Sequence, residues 1–116
     1  MSRMNIGKFN VYLADLNPRI GTEPGKIRPV VVVQTDLLNE VHPSTIVCPM
    51  TTNTVKDATI LRIRVPKKES GLNQDSDILV DQIRAIDNRH FKKHIGKLTT
   101  HHKEKLLENL RLLILE

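Results

Sequence analysis

Four valines in a row, Val30 to Val33, constrain this chain more than any other feature. β-branched side chains are stiff at χ1 and pack best on a pleated surface. The stretch RPVVVVQ (28–34) is therefore expected as a buried strand, with Pro29 tolerable only at its first position. Arg28 then stands at the mouth of that strand, after a Gly- and Pro-rich loop, NPRIGTEPGKI (17–27). A cation there is either a salt-bridge anchor or a functional group. The core behind it must be aliphatic, because Phe9, Tyr12 and Phe91 are the only aromatics in 116 residues. That scarcity argues against reading bases by stacking on an aromatic platform.

The length suits one domain over residues 1–116, and a 39% apolar fraction suits a compact fold rather than a disordered chain. FNVYLADL (9–16) alternates, with Phe9, Val11 and Leu13 on one face. TDLLNEV (35–41) reads as a short helix capped by Thr35 or Asp36. STIVCPM (44–50) reads as a strand and TTNTVKDA (51–58) as a polar loop. In TILRIRV (59–65), Leu61, Ile63 and Val65 face a core, while Ile60, Arg62 and Arg64 form a wet basic face. PKKESGLNQDSD (66–77) is a long polar connection, and ILVDQIRAID (78–87) begins as a buried strand and ends in a turn. Leu106, Leu107, Leu110, Leu113 and Ile114 keep the helical period, and Thr99 or Thr100 can cap that helix. The whole implies an α+β domain. About five or six mostly antiparallel strands form a small sandwich or barrel-like core, with short helices and a C-terminal amphipathic helix.

Between Arg84 and Lys105, seven basic residues stand against Asp87 and Glu104, which accounts for the whole net charge of +5. Such a patch favours a polyanionic partner through counterion release; the alternative is a solvated surface. Cys48 is the only cysteine, and its apolar surroundings suit a buried hydrophobe better than a nucleophile. No run reads as a signal peptide or membrane span, so a soluble, cytoplasmic protein is expected. GTEPGK has three residues between its glycines and Ile27 after Lys26, which rules out a P-loop. His90 and His94 have i, i+4 spacing, but no third ligand is placed, so no metal and no other cofactor is expected. Asp75 and Asp77 read as a solvated loop. Asp81 follows three apolar residues and needs a partner, for which Arg28 is the natural candidate.

GTEPGKIRPVVVVQTDLLN, then TIVCPMTT, then ILVDQIRAID, then a leucine-rich terminal helix resemble the MazF/PemK/Kid family of toxin endoribonucleases. The likeness runs from about Gly7 to Leu115 and is most specific in its first stretch. It implies a strongly bent antiparallel sheet with small helices, shared with the CcdB gyrase poisons, assembled as a homodimer. It implies metal-independent cleavage of single-stranded RNA, mRNA above all, by the ribose 2′-hydroxyl, leaving 2′,3′-cyclic phosphate and 5′-hydroxyl ends. It also implies a cognate antitoxin that blocks the RNA groove. On this resemblance Arg28 meets the scissile phosphate, Thr51 assists it (Thr52 one register away), and Asp81 is the acidic residue proposed as general base. RNA contacts are carried over to Gly21, Glu23, Lys26, Thr52, Gln82 and Arg84. Three departures stand out: Leu79 where some members have a second catalytic arginine, Lys8 for a frequent acid, and Pro24 for a frequent glutamine.

The chemistry agrees with these roles. Arginine's planar fork matches phosphate oxygens, and a strand behind it preorganises the charge. Its high pKa makes it a poor base, whereas a desolvated Asp81 could accept the 2′-proton. Arg62, Arg64 and Arg84 are candidates to track the RNA backbone. Two alternatives share the fold: a non-enzymatic gyrase-binding toxin, which needs neither Arg28 nor Thr51, and a degenerate antitoxin-binding module.

Overall fold

The valine run lies in strand β2 (Ile27–Val32), and its surroundings on both faces explain its composition. Val31 faces one core with Val11, Cys48, Met50, Ile78 and Leu106. Val30 and Val32 face a second core with Tyr12, Ala14, Val47 and Phe91. A strand covered on both sides has no use for a polar face. The computed structural model describes residues 5–17, 26–57 and 60–116.

With β1 (Asn10–Asp15), β3 (Ser44–Thr51), β4 (Arg62–Val65), β5 (Ser76–Leu79), β6 (Arg84–Asp87) and β7 (Phe91–Lys97), β2 builds one sheet. Its order is β4-β5-β3-β2-β1-β7, with β6 added on β3, and these pairs are all antiparallel. β3 is the hub. Its first half pairs with β6 (Ser44–Val47) and its last residues with β5 (Met50–Thr51), both on the edge away from β2. A 3-10 turn, Val80–Gln82, carries the chain between those two partners. At the far side β1 is held by β7, from Asn10 opposite Lys97 to Ala14 opposite Phe91. Tyr12 fixes the second core: its ring stands edge-on to Phe91 at 5.2 Å, and its hydroxyl accepts from Gly7 N–H and donates to the Asn5 carbonyl.

Several expectations are revised. Pro29 is the third residue of β2, opposite Leu13; the ladder to β3 starts only at Val30, one residue after the missing N–H. β1 is covered on both faces rather than one: Val11 is buried in the first core with Phe9 packed against it, Tyr12 and Ala14, with Leu16 just beyond, are fully buried in the second, and Leu13 is only partly buried. Residues 35–41 make consecutive turns rather than a helix. Thr35 does cap them, accepting from Leu37 N–H, but Glu40 at φ +74° breaks the run. Among the described residues there are seven strands, since β6 and β7 carry too many charges to announce themselves.

The terminal helix α1 (Thr100–Leu110) is capped by Thr99, whose hydroxyl accepts from His102 N–H. His102, Leu106 and Asn109 form its buried stripe, at i, i+4 and i+7. Leu107, Leu113 and Ile114 lie off that stripe and are exposed, and the chain finishes in a π-helical turn, Arg111–Leu115. Among the described residues no helix is long and apolar enough to cross a membrane.

Candidate active site

β2 and β3 pair at Val30–Pro49, Val31–Cys48 and Val32–Val47. The ladder ends at Val30–Pro49, and Arg28 on β2 and Thr51 on β3 each stand two residues beyond that same end. Thr51 is directly opposite Asp77 on β5, and Asp77 directly opposite Arg64 on β4. Opposed residues share a face, so Thr51, Asp77 and Arg64 form one polar row across three strands. Arg28 keeps step with Val30 and Val32 of the second core, and Thr51 with Val47 of that same core. Arg28 is half-buried on a strand whose next valines are fully enclosed. Thr51 is buried, and its Oγ1 accepts from Asn53 N–H at 3.1 Å, leaving the hydroxyl's own proton to donate.

The loop positions Gly21 and Glu23, with Pro24, fall outside the described residues. The base of that segment is closed by Leu16 N–H on the Lys26 carbonyl (2.8 Å) and Lys26 N–H on Asn17 Oδ1 (2.7 Å). Lys26 and Thr52 are exposed near the Arg28–Thr51 end of the strands. Gln82 and Arg84 are half-buried on the other edge of β3, where Arg84 pairs with Val47. Lys8 is part of the turn before β1, its N–H held by Asp36 Oδ1, and Leu79 is buried in β5.

Asp81 does not pair with Arg28. It is exposed on the 3-10 turn beyond β5, on the edge of β3 opposite to β2, so β3 separates the two. Its charge acts on Cys48 instead. Burial, aided by Asp81, pushes that thiol up to about 12, so Cys48 stays protonated and inert, as its apolar setting implies.

The buried carboxylate is Asp77, which the sequence suggested was a solvated loop residue; it is 1% exposed. Arg64 Nε donates to Oδ1 at 2.7 Å, Arg62 to Oδ2 at 3.1 Å and Val55 N–H to Oδ2 at 3.0 Å. Burial works to raise its pKa, but these bonds outweigh it and hold the carboxyl below the usual range. Arg62 and Arg64, expected as a wet basic face, are committed to this ion pair. The signal was present in the alternation of Arg62 and Arg64: two guanidinium groups on one strand face call for an acid across the ladder. Among the histidines, His94 meets Asn10 Oδ1 at 2.9 Å and His42 meets the Ser44 carbonyl at 3.0 Å. Among the described residues no three His, Cys, Asp or Glu side chains are grouped to hold a metal ion.

Residues 8–114 match the family described as PemK-like, MazF-like toxin of type II toxin-antitoxin system. Over 103 residues the chain is 39% identical to the endoribonuclease MazF of Staphylococcus epidermidis, covering 89% of this chain and 83% of that protein. Over 109 residues it is 35% identical to the endoribonuclease EndoA of Bacillus subtilis (strain 168), covering 94% of each. It superposes on the crystal structure of MazF from Deinococcus radiodurans with a TM-score of 0.82, over 97% of this chain and 99% of that one. At 19% identity, that last likeness is one of fold.

Proposed function

The chain belongs to the PemK-like, MazF-like toxin family of type II toxin–antitoxin systems, and from that premise we propose that it is a toxin endoribonuclease cleaving single-stranded RNA. The observation that carries the reading is that Arg28 on β2 and Thr51 on β3 both stand two residues beyond the same end of the β2–β3 ladder. The 2′-oxygen attacks phosphorus, the 5′-oxygen leaves, and the products carry 2′,3′-cyclic phosphate and 5′-hydroxyl ends. Arg28 stabilises the phosphorane with its charged fork, and the Thr51 hydroxyl donates to a phosphate oxygen. Asp81 is assigned the 2′-proton on family resemblance; its exposed place on the far edge of β3 means that RNA must reach across that strand to use it. Every charge this scheme uses is a side chain, so it runs without a metal.

The partners proposed with this function are a cognate antitoxin and a second copy of the chain. Leu112 to Leu115 form an exposed apolar run of the kind that assembly covers. The site of action is the cytoplasm, where mRNA is found. The gyrase-poison alternative makes no use of the Arg28–Thr51 pair, and no feature of the fold favours it.

The test is purified protein on a long single-stranded RNA in EDTA, with ends mapped and their chemistry read. Discrete cuts bearing cyclic phosphates are expected, with Arg28→Ala slower by roughly 10²–10³. A folded Arg28→Ala that cuts at the wild-type rate overturns the assignment.

A further inference from the structure

The turn that follows Thr51 is bonded at the N–H and carbonyl of both Asn53 and Val55, and within it Thr54 N–H donates to the Thr52 carbonyl at 3.0 Å. Asn53 N–H donates to Thr51 Oγ1, and the Asn53 carbonyl accepts from Arg62 at 3.0 Å. Val55 N–H donates to Asp77, and the Val55 carbonyl accepts from Arg64 at 3.1 Å. Three of those four anchors are the members of one ion-pair cluster, and the fourth is Thr51. The carboxylate at the centre is buried, while Arg62 and Arg64 reach from it to the surface with side chains 27% and 41% exposed.

A plain structural ion pair would not need this arrangement. One arginine suffices to neutralise Asp77, and a buried pair is no gain over apolar packing. Here both arginines also donate to carbonyls of the same short turn. Meanwhile Thr52 and Asn53 are left exposed directly after Thr51. An amide and a hydroxyl carried on an anchored backbone can hydrogen-bond the edge of an unstacked base. With few aromatics in the chain, polar edge contacts are the available means of reading sequence.

We propose that Asp77 is a positioning residue: through Arg62 and Arg64 it fixes the Thr52–Val55 turn so that Asn53 reads the base beside the scissile phosphate. The inference rests on the reading of the chain as an endoribonuclease. Its ligand is a nucleobase edge in single-stranded RNA, and Asp77 itself touches no RNA.

Cut sites on one long RNA, with kcat and KM on the preferred sequence and on single-base variants, test it. The proteins are wild type, Asp77→Asn, Arg62→Gln, Arg64→Gln and Asn53→Ala, each checked for fold by circular dichroism. Asn53→Ala is expected to cut with its preference at one flanking position reduced about tenfold, the value of one or two lost base contacts. Asp77→Asn should reduce the same preference, through a higher KM on the preferred sequence, while the other positions of the motif stay selected. Should Asp77→Asn fail to fold, the two surface-reaching arginine variants carry the same expectation. Folded clamp variants that lose rate equally on all sequences, or keep the wild-type preference, overturn the positioning role. A wild-type chain that cuts no RNA at all overturns the endoribonuclease reading and this inference together, so the two failures are distinguishable.

Discussion

Gly71 has a φ of +79°, where a side chain is strained, and a Cβ there would overlap the Ile95 carbonyl oxygen. A Cβ on Gly96 would meet the Ser70 backbone in turn. The two glycines let the connection between β4 and β5 lie directly on β7. Gly71→Ala is therefore expected to destabilise the fold by roughly 1–3 kcal/mol through overpacking, with the added cost of the left-handed backbone. A urea melt of the purified variant measures it, and a midpoint equal to wild type contradicts the close packing. At this scale the sequence was legible where a residue broke a pattern. Arg28 before four valines and Cys48 inside an apolar strand were read correctly as to setting. Asp77 was not, because DSD looks like any solvated turn; its burial depends on Arg62 and Arg64, which arrive from another strand. Gly71 was absorbed into a polar connection for the same reason, since the surface that it contacts is 24 residues away in sequence.

Among elements, α1 shows how a helix start can become pH-sensitive. His102 is buried under the Thr99 cap, with Nδ1 2.8 Å from Thr99 Oγ1 and 3.4 Å from Glu69 Oε2. Burial lowers its pKa, more than the Glu69 charge raises it, and the nearby His101 and Lys105 add to the lowering. The unfolded chain therefore takes up this proton at about pH 6.5 and the folded one only at lower pH. Stability is complete above that value and is lost as pH falls through the folded pKa. Urea midpoints should hold steady from pH 8 to 7 and decline below about 6.5, and His102→Gln should flatten that decline. An unchanged slope in the variant assigns the effect to another group. The helix itself was legible from leucine spacing and its Thr99 cap, but its buried face was not. Five apolar positions suggested one stripe, whereas the sheet accepts the stripe centred on His102, Leu106 and Asn109. Helical period tells which residues travel together, and only the partner surface tells which set is covered.

For the whole molecule, the α+β class and the antiparallel sheet were legible, while the branching at β3 was not. Strand patterns say nothing about which strand receives two partners on one edge, and β6 looked like the end of a turn. That topology makes the fold dominated by distant pairings, and such sheets close slowly because loop entropy is lost before contacts form. Refolding from urea should take milliseconds to seconds rather than the microseconds of a helical bundle, measurable by stopped-flow fluorescence of Tyr12. The pairing of β1 with β7 has a further consequence for a chain being synthesised. β1 meets β2 as soon as residues 27–31 are available, whereas its other edge, residues 10–14, stays unpaired until residues 91–97 arrive. Until then that edge of β1 is open, although the Arg28 strand is already flanked by β1 and β3. An open edge is a template for stray pairing, so this is the place where a growing chain is exposed to misassembly.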